Sequence, residues 1–264
     1  MITDPARELA DICSSLQEAS QERGDAYLAT KFRVDRWSAE FYQMLFEIRN
    51  RADQVAAILE DIGFDDDHKT DALQHLEMIK RAFSFDALNS PWNHSYSSHI
   101  SDKHVGALKM LAPSVRRIVS YERLDLDDLA ALGTQVRELL EWLRDRQLRE
   151  QDFFRQAIIE GLSHLLFRIE RFKWLGWGYT LASLKQVIMA YMVLEQGHTD
   201  PNEDPNLSAL LKRVKATLEN VLDKFGVLRE ATDNLGFGLK AYGVITLALQ
   251  GKQSVTGLIA SLAE

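Results

Sequence analysis

Apolar residues recur every three or four positions along most of the chain, which is the spacing of one face of an α-helix rather than that of a β-strand. The longest stripe runs through Trp37, Phe41, Met44, Ile48, Ala52, Val55, Leu59 and Ile62. Similar stripes cross residues 73–83, 129–143, 158–172 and 207–225. Only five prolines interrupt the 264 residues. This pattern predicts an all-α fold, a multi-helix bundle of about eight or nine helices.

Residues at the ends of the stripes predict where individual helices begin and end. Gly63 is placed to end the helix over residues 37–62, whose outer face is charged. Asp65 to Asp67 then provide N-cap candidates for the next helix, which continues towards Phe83. The local capping chemistry therefore agrees with the spacing of the apolar stripes.

Residues 84–101, SFDALNSPWNHSYSSHIS, interrupt the helical pattern with a proline, serines and asparagines. The interruption predicts a loop and, near residue 90, a boundary between two units. The first unit, residues 1–90, is predicted to be an acidic helical unit. The second, residues 91–264, is predicted to be a helical bundle with an apolar C-terminal segment. One continuous domain is the alternative organisation.

The predicted loop contains aromatic and titratable side chains that a plain linker does not need. Trp92 and Tyr96 are expected to pin the loop onto the core, because large aromatic side chains anchor chain segments by their burial. Loops are also common positions for binding residues. The candidate binding residues of this loop are Trp92, His94, Tyr96 and His99. An enzyme with an active site near residues 92–104 is one alternative function.

The most apolar continuous stretch is residues 174–194, whose 21 positions contain one charge, Lys185. The length is sufficient for a membrane span. However, a cation near the middle of a bilayer costs about 3 kcal/mol on the insertion scale. We therefore predict a buried core helix, with a bend at Gly176 and Gly178.

The last 30 residues are also apolar and contain five of the 14 glycines. The two apolar runs beside Gly251 are each about ten residues long, which is too short to span a membrane alone. We predict two small helices packed on the bundle. The alternative is a soluble-to-membrane effector that inserts this segment, since small residues permit rearrangement as well as close packing. The candidate membrane or partner residues are Phe237, Lys240, Tyr242, Ile245, Leu249 and Leu258.

The formal net charge of −8 is concentrated at the N-terminal end. Residues 1–90 contain 18 acidic and 10 basic side chains, whereas residues 91–264 contain 21 of each. Such a front repels the phosphates of nucleic acid, so we expect no nucleic-acid partner. An acidic face can instead dock another protein, particularly a basic one.

Residues 206–225 carry Leu207, Leu211, Val214, Leu218, Val221 and Phe225 in alternating steps of four and three. This heptad spacing predicts a helix-packing seam. An intramolecular seam within the bundle is the first interpretation, and a homo-oligomer through the same seam is the second.

No residue pattern in the chain predicts a catalytic centre, a bound metal or a cofactor. His94, His99 and His104 are spaced five residues apart, which does not place them on one helix face. Cys13 is the single cysteine and lies on the apolar side of its helix, so we predict a core residue rather than a nucleophile. No motif characteristic of a known family occurs.

These observations lead to a functional hypothesis. We expect a non-catalytic, cytoplasmic all-α protein that binds another protein through its acidic front or through residues 84–101. An immunity, adaptor or accessory subunit of a bacterial multi-protein system, related to defence or to a toxin, is the expected setting. The single cysteine agrees with a reducing compartment. Peripheral membrane association through the C-terminal segment is the alternative localisation.

Overall fold

The fold is described by a computed structural model for residues 2–122, 124–146, 152–197, 205–225, 238, 241–243, 245 and 246. Eleven helices and two very short strands form within these ranges. The all-α prediction is therefore confirmed, whereas the predicted count of eight or nine helices is too low. Two of the additional helices lie in the segment that was predicted to be a loop.

The elements follow one another as helices with short connections, and the two strands form one two-stranded sheet. In chain order they are β1 (Ile2–Thr3), α1 (Pro5–Ser15), α2 (Gly24–Phe32), α3 (Ala39–Asp61), α4 (Asp66–Arg81), α5 (Phe85–Asn89), α6 (Trp92–Ser98), α7 (Asp102–Arg116), β2 (Tyr121–Glu122), α8 (Leu126–Arg144), α9 (Asp152–Glu170), α10 (Phe172–Gly197) and α11 (Pro205–Lys224).

The chain divides into two compact units. Unit 1 comprises Met1–Tyr121 together with Lys173–Gly176, and unit 2 comprises Glu122–Phe172 and Trp177–Glu264. The boundary that the sequence suggested near residue 90 falls inside unit 1. The reason is that residues 84–101 are not a linker but two short helices, α5 and α6, which belong to the core of that unit.

Polar side chains at helix starts fix where the helices of unit 1 begin. The Asp4 carboxylate accepts a hydrogen bond from the Arg7 amide, and the Ser38 hydroxyl accepts one from the Phe41 amide. The Asp65 carboxylate accepts from the His68 amide, so the predicted cap of α4 is confirmed. Each cap satisfies an amide that the helix itself leaves without a partner.

Trp92 explains why the predicted loop is ordered as helices. Its side chain is fully buried, its indole Nε1 donates a hydrogen bond to the Leu16 carbonyl at 3.1 Å, and its ring stacks on Tyr27 at 4.9 Å. The main chain around it is also tied down, because the Gly24 amide donates to the Ser90 carbonyl at 2.9 Å. The prediction that Trp92 pins this segment to the core is thus confirmed.

The apolar stretch 174–194 lies in α10. The backbone leaves the helical conformation at Gly176, which has a φ of 72°, so the predicted bend is confirmed at this position. A Cβ atom at Gly176 would lie 2.4 Å from the Glu8 carboxylate and 2.6 Å from Arg51 Nη2, which leaves room only for glycine. Within the described residues, no helix is both long enough and apolar enough to cross a bilayer.

In unit 2, α8 packs against both α9 and α11. All six side chains of the predicted seam on α11 are buried within the chain: Leu207, Leu211, Val214, Leu218, Val221 and Phe225. The seam is therefore occupied inside unit 2, as the first interpretation required. A homo-oligomer through the same residues would require α11 to leave α8.

Two glycines of unit 1 provide a matched test of this packing. A Cβ atom at Gly24 would lie 2.5 Å from the Ala87 carbonyl oxygen, whereas one at Gly106 would meet nothing within 4 Å. We expect Gly24→Ala to destabilise the protein by about 1–3 kcal/mol, because backbone atoms must shift. We expect Gly106→Ala to stabilise it by about 0.5–1 kcal/mol through helix propensity.

Chemical denaturation of both glycine variants measures the two free energies of unfolding. Equal effects of the two substitutions would contradict the close approach of α2 to α5 at Gly24.

Candidate functional site

Four aromatic side chains lie on the surface of unit 1, and three of them are linked by ring contacts. We call Trp37, Tyr42, Phe46 and Phe85 the aromatic surface. Tyr42 is 53% exposed, Phe46 64% and Phe85 70%, while Trp37 is half-buried. The Trp37 ring lies 5.8 Å from the Tyr42 ring and 6.2 Å from the Phe85 ring, measured between ring centroids. Large exposed apolar patches of this kind are uncommon on proteins that have no binding partner.

The helices place these rings in a defined way. Tyr42 and Phe46 are four residues apart on α3 and therefore share one face of that helix. Phe85 is the first residue of α5, directly after Ser84, whose hydroxyl accepts a hydrogen bond from the Ala87 amide. Beneath them, the fully buried Phe41 packs edge-on against Trp37 at 5.7 Å. The exposed rings thus rest on the core.

Trp37 has an unusual backbone conformation. Its φ is +61°, in the left-handed region that a bulky residue rarely adopts. Immediately before it, Arg36 donates a hydrogen bond to the buried carboxylate of Asp25 at 2.5 Å. The sequence pattern placed Trp37 in the buried stripe of α3, but the turn that precedes Ser38 moves the ring beside Tyr42 and Phe85 instead. Strained positions that persist in a folded protein cluster at functional sites.

Asp25 holds the connection between α2 and α3. The carboxylate is fully buried and is contacted by both Arg23 and Arg36. Burial acts to raise the pKa of Asp25, but the hydrogen bonds from Arg36 and from the Ala26 amide, with the charges of both arginines, outweigh it and lower the pKa. Asp25 therefore stays ionised and keeps Arg36 in place next to Trp37.

A second feature, which we call the α5–α6 depression, lies beside Phe85. It is an open hollow of about 540 Å³ between the end of α4, α5 and α6. Its lining is Arg81, Ser84, Asp86, Ala87, Ser90, His94, Ser95, Ser98 and His99. His94 and Ser98 are four residues apart, as are Ser95 and His99, which is the cap residue directly after α6. This spacing places the four side chains on the same side of α6.

The structure separates the four candidate binding residues of the predicted loop. Trp92 is part of the core and is not accessible to a ligand. Tyr96 is half-buried and does not line the depression, whereas His94 and His99 both do. The sequence therefore identified the histidines of this feature. It did not identify Arg81, because that side chain comes from the end of a different helix.

The His99 side chain has an incomplete set of hydrogen bonds. Its Nδ1 atom is buried and has no hydrogen-bond partner among the described residues. Burial, followed by the nearby charge of Arg81, lowers the pKa of His99. At neutral pH the imidazole is therefore uncharged, and a ligand in the depression would meet a histidine whose protonation it can change.

His104, the third histidine of the series, is not part of this depression. It lies on α7, where its Nδ1 is 2.8 Å from Nδ1 of His75 on α4. The pKa of His104 is lowered, mainly by burial and next by the charges of His75 and Lys103. A hydrogen bond with the Ser98 main chain acts in the opposite direction but is outweighed. Within the described residues, no three His, Cys, Asp or Glu side chains are grouped closely enough to hold a metal ion.

Cys13 has the character of a core residue. Its side chain is fully buried in α1, and this burial raises the pKa of the thiol to about 12 despite the opposing charge of Arg51. A thiol with such a pKa carries almost no thiolate at neutral pH and is a poor nucleophile.

Only part of the C-terminal candidate segment is described. Phe237, Lys240, Leu249 and Leu258 lie outside the described residues. Ile245 is fully buried in unit 2, and Lys185 lies over the Tyr242 ring at 5.4 Å from its centroid. The Gly238 amide also donates a hydrogen bond to the Glu195 carboxylate at 3.1 Å. Among these described residues Ala241 and Ile245 are buried, whereas Tyr242 is half-buried. The two small helices stay a prediction, because most of the segment lies outside the described residues.

Comparison with protein-family models, with curated proteins and with solved structures finds no match to this chain. The site is therefore interpreted from its own geometry. That geometry offers an exposed aromatic surface and an adjacent polar depression, both of which belong to unit 1.

The packing of Ile245 predicts that the C-terminal segment contributes to stability. We expect Ile245→Ala to lower the free energy of unfolding by about 2–4 kcal/mol, because it removes a buried side chain and leaves a cavity. Val193→Ala in α10 is the control, since Val193 is 46% exposed and its truncation is expected to change stability by less than about 0.5 kcal/mol. Urea denaturation measures both. Equal stability of the two variants would favour a segment that leaves the core.

The histidine pair predicts a loss of stability on the acidic side. The pKa of His104 is lowered in the folded state from the ordinary histidine value of 6.5. As the pH falls below 6.5, the unfolded chain therefore binds a proton at His104 before the folded chain does. Stability is therefore full above about pH 6.5 and decreases below it. We expect His104→Gln to make this decrease smaller. The measurement is the thermal unfolding temperature between about pH 7.5 and about pH 5, a range that brackets the ordinary histidine pKa.

His68→Gln is the control of opposite sign for the histidine pair. The hydrogen bond to Asp65 raises the pKa of His68, so this substitution is expected to steepen the loss of stability in acid. If His104→Gln steepens it as well, the interpretation of the pair is wrong.

Proposed function

We propose that this chain is a non-catalytic, protein-binding protein that recognises a partner protein through the aromatic surface of unit 1. The observation that carries the proposal is the exposure of Tyr42, Phe46 and Phe85, with ring contacts from Trp37 to Tyr42 and to Phe85. An immunity, adaptor or accessory subunit of a bacterial multi-protein system has this kind of activity.

The composition of the surface supports protein recognition. Aromatic side chains are enriched at the centres of protein interfaces, because they bury a large area and lose little conformational entropy on binding. A few such residues supply most of the binding energy of an interface. Phe41 beneath Trp37 and the hydroxyl cap of Ser84 before Phe85 hold the rings in position before a partner arrives. Such preorganisation reduces the entropic cost of association.

The negative charge of residues 1–90 favours a partner protein with a basic contact surface. Residues 1–90, which contain all four rings, have 18 acidic and 10 basic side chains. A second copy of this chain would bring the same excess of negative charge to the interface and would be repelled. We therefore propose a different protein, which presents an apolar patch bordered by basic side chains. Complementary charge of this kind mainly accelerates association and excludes wrong partners.

Site-specific cross-linking tests the proposal in the cells that produce the protein. A photoreactive benzoylphenylalanine replaces Phe85 in one variant and Met110 in the control; Met110 is an apolar residue of α7 that is 83% exposed. We expect a covalent adduct from position 85 with one particular protein, and no such adduct from position 110. The linked protein is then purified, and its affinity for the intact chain is measured.

Affinity measurements with the purified partner decide the outcome. We expect Tyr42→Ser and Phe46→Ser each to weaken binding about tenfold or more, as for central interface residues, while Met110→Ser has little effect. Association should slow as the salt concentration rises, because salt screens the charge attraction. An adduct formed only with a second copy of this chain, or a linked protein with an acidic contact surface, would contradict the proposal.

A further inference from the structure

The α5–α6 depression contains polar groups that the aromatic surface does not use. Arg81 lines it from the end of α4, and no carboxylate of the described residues lies within ion-pair distance of this guanidinium. In the same unit Arg7, Arg23, Arg36 and Arg116 each have an acidic partner, whereas Arg33, Arg49 and Arg117 resemble Arg81 in having none among the described residues. An arginine without such a partner can give its donors to a ligand.

Two histidines and four serines line the depression together with Arg81. His94 is exposed, and His99 lines the same hollow. The His99 Nδ1 atom is buried beneath this surface and has no hydrogen-bond partner among the described residues. Buried polar atoms without a partner are rare in native proteins, and a bound ligand is one established cause. The Ser84 hydroxyl accepts a hydrogen bond from the Ala87 amide, which leaves its own hydrogen available for donation.

We infer that the α5–α6 depression is a binding site for a phosphate-bearing ligand, held by Arg81, His94 and His99 with Ser84 and Ser98 as additional donors. A guanidinium donates two parallel hydrogen bonds to an oxyanion, and imidazole and hydroxyl donors around it suit a tetrahedral group with several acceptor oxygens. The hollow of about 540 Å³ also leaves space for an organic part of the ligand.

Asp86 is the single carboxylate in the lining, and it makes the proposal easy to test. The side chain is exposed, so water weakens its repulsion of an anion without removing it. At an anion site, Asp86→Asn should therefore tighten binding. At a cation site, the same substitution would remove the main charged ligand and weaken binding.

The first experiment is a phosphate titration of the full-length protein, followed by the imidazole resonances in NMR. We expect inorganic phosphate to shift the resonances of His94 and His99 and to raise the pKa of His99. His68 is the internal control, because it lies at the other end of α4, about 20 Å from Arg81 at 1.5 Å per residue. Acetate is the competing anion and should shift the two histidines less.

Substitutions give the second readout. We expect Arg81→Gln to weaken phosphate binding about tenfold or more, as for a hydrogen bond to a charged group. Lys109→Gln, which removes an exposed positive charge from α7, should change the affinity less than about twofold, since exposed charges act weakly through water. Asp86→Asn should bind phosphate more tightly than the unsubstituted protein.

The source of the phosphate is distinguished by comparing inorganic phosphate with O-phosphoserine. Tighter binding of O-phosphoserine assigns an esterified ligand, and tighter binding of inorganic phosphate assigns the free ion. The proposal is overturned if neither compound moves the His99 resonance, if acetate moves it equally, or if Arg81→Gln and Lys109→Gln have equal effects. Because these measurements use no partner protein, their outcome is independent of the proposed protein interaction.

Discussion

The positions of α5 and α6 in unit 1 depend on the burial of Trp92. The indole hydrogen bond to the Leu16 carbonyl and the stacking on Tyr27 attach the start of α6 to α1 and α2. Helices as short as α5 and α6, with five and seven residues, do not form alone in water, because their nucleation cost exceeds the gain from a single turn. The position of Phe85 and the shape of the α5–α6 depression therefore follow from tertiary contacts at Trp92.

Buried carboxylates perform the corresponding task at two other connections of unit 1. Asp25 binds Arg23 and Arg36 before α3, and Asp4, which is also fully buried, caps α1 and contacts Arg116 at 3.0 Å. Removing the arginine of such a pair is costly, because the carboxylate charge then stays buried without its partner. In the case of Asp25 this constraint also bears on the aromatic surface, since Arg36 directly precedes Trp37, whose backbone is left-handed.

The sequence predicted those parts of the structure that depend on local spacing. The seam from Leu207 to Phe225 is encoded by steps of three or four residues, and the Asp65 cap of α4 by a contact three residues along the chain; both were recognised. Residues 84–101 were misinterpreted as a loop, because their order depends on a contact 76 positions away in the chain, from Trp92 to Leu16. Spacing placed Phe41 in the buried stripe and Phe46 outside it, in agreement with their burial, but the outer face was expected to be charged, so an aromatic surface there was not predicted.

The two features are parts of one surface that α5 organises. Phe85, its first residue, belongs to the aromatic surface, whereas Ser84 and Asp86 on either side line the depression. Ala87 and Leu88 are buried and fix the helix from below. Phe85 belongs to one feature and its two neighbours to the other, so substitutions can alter the aromatic surface and the α5–α6 depression separately. Loss of the Trp92 contacts would displace α5 and so change both Phe85 and the depression.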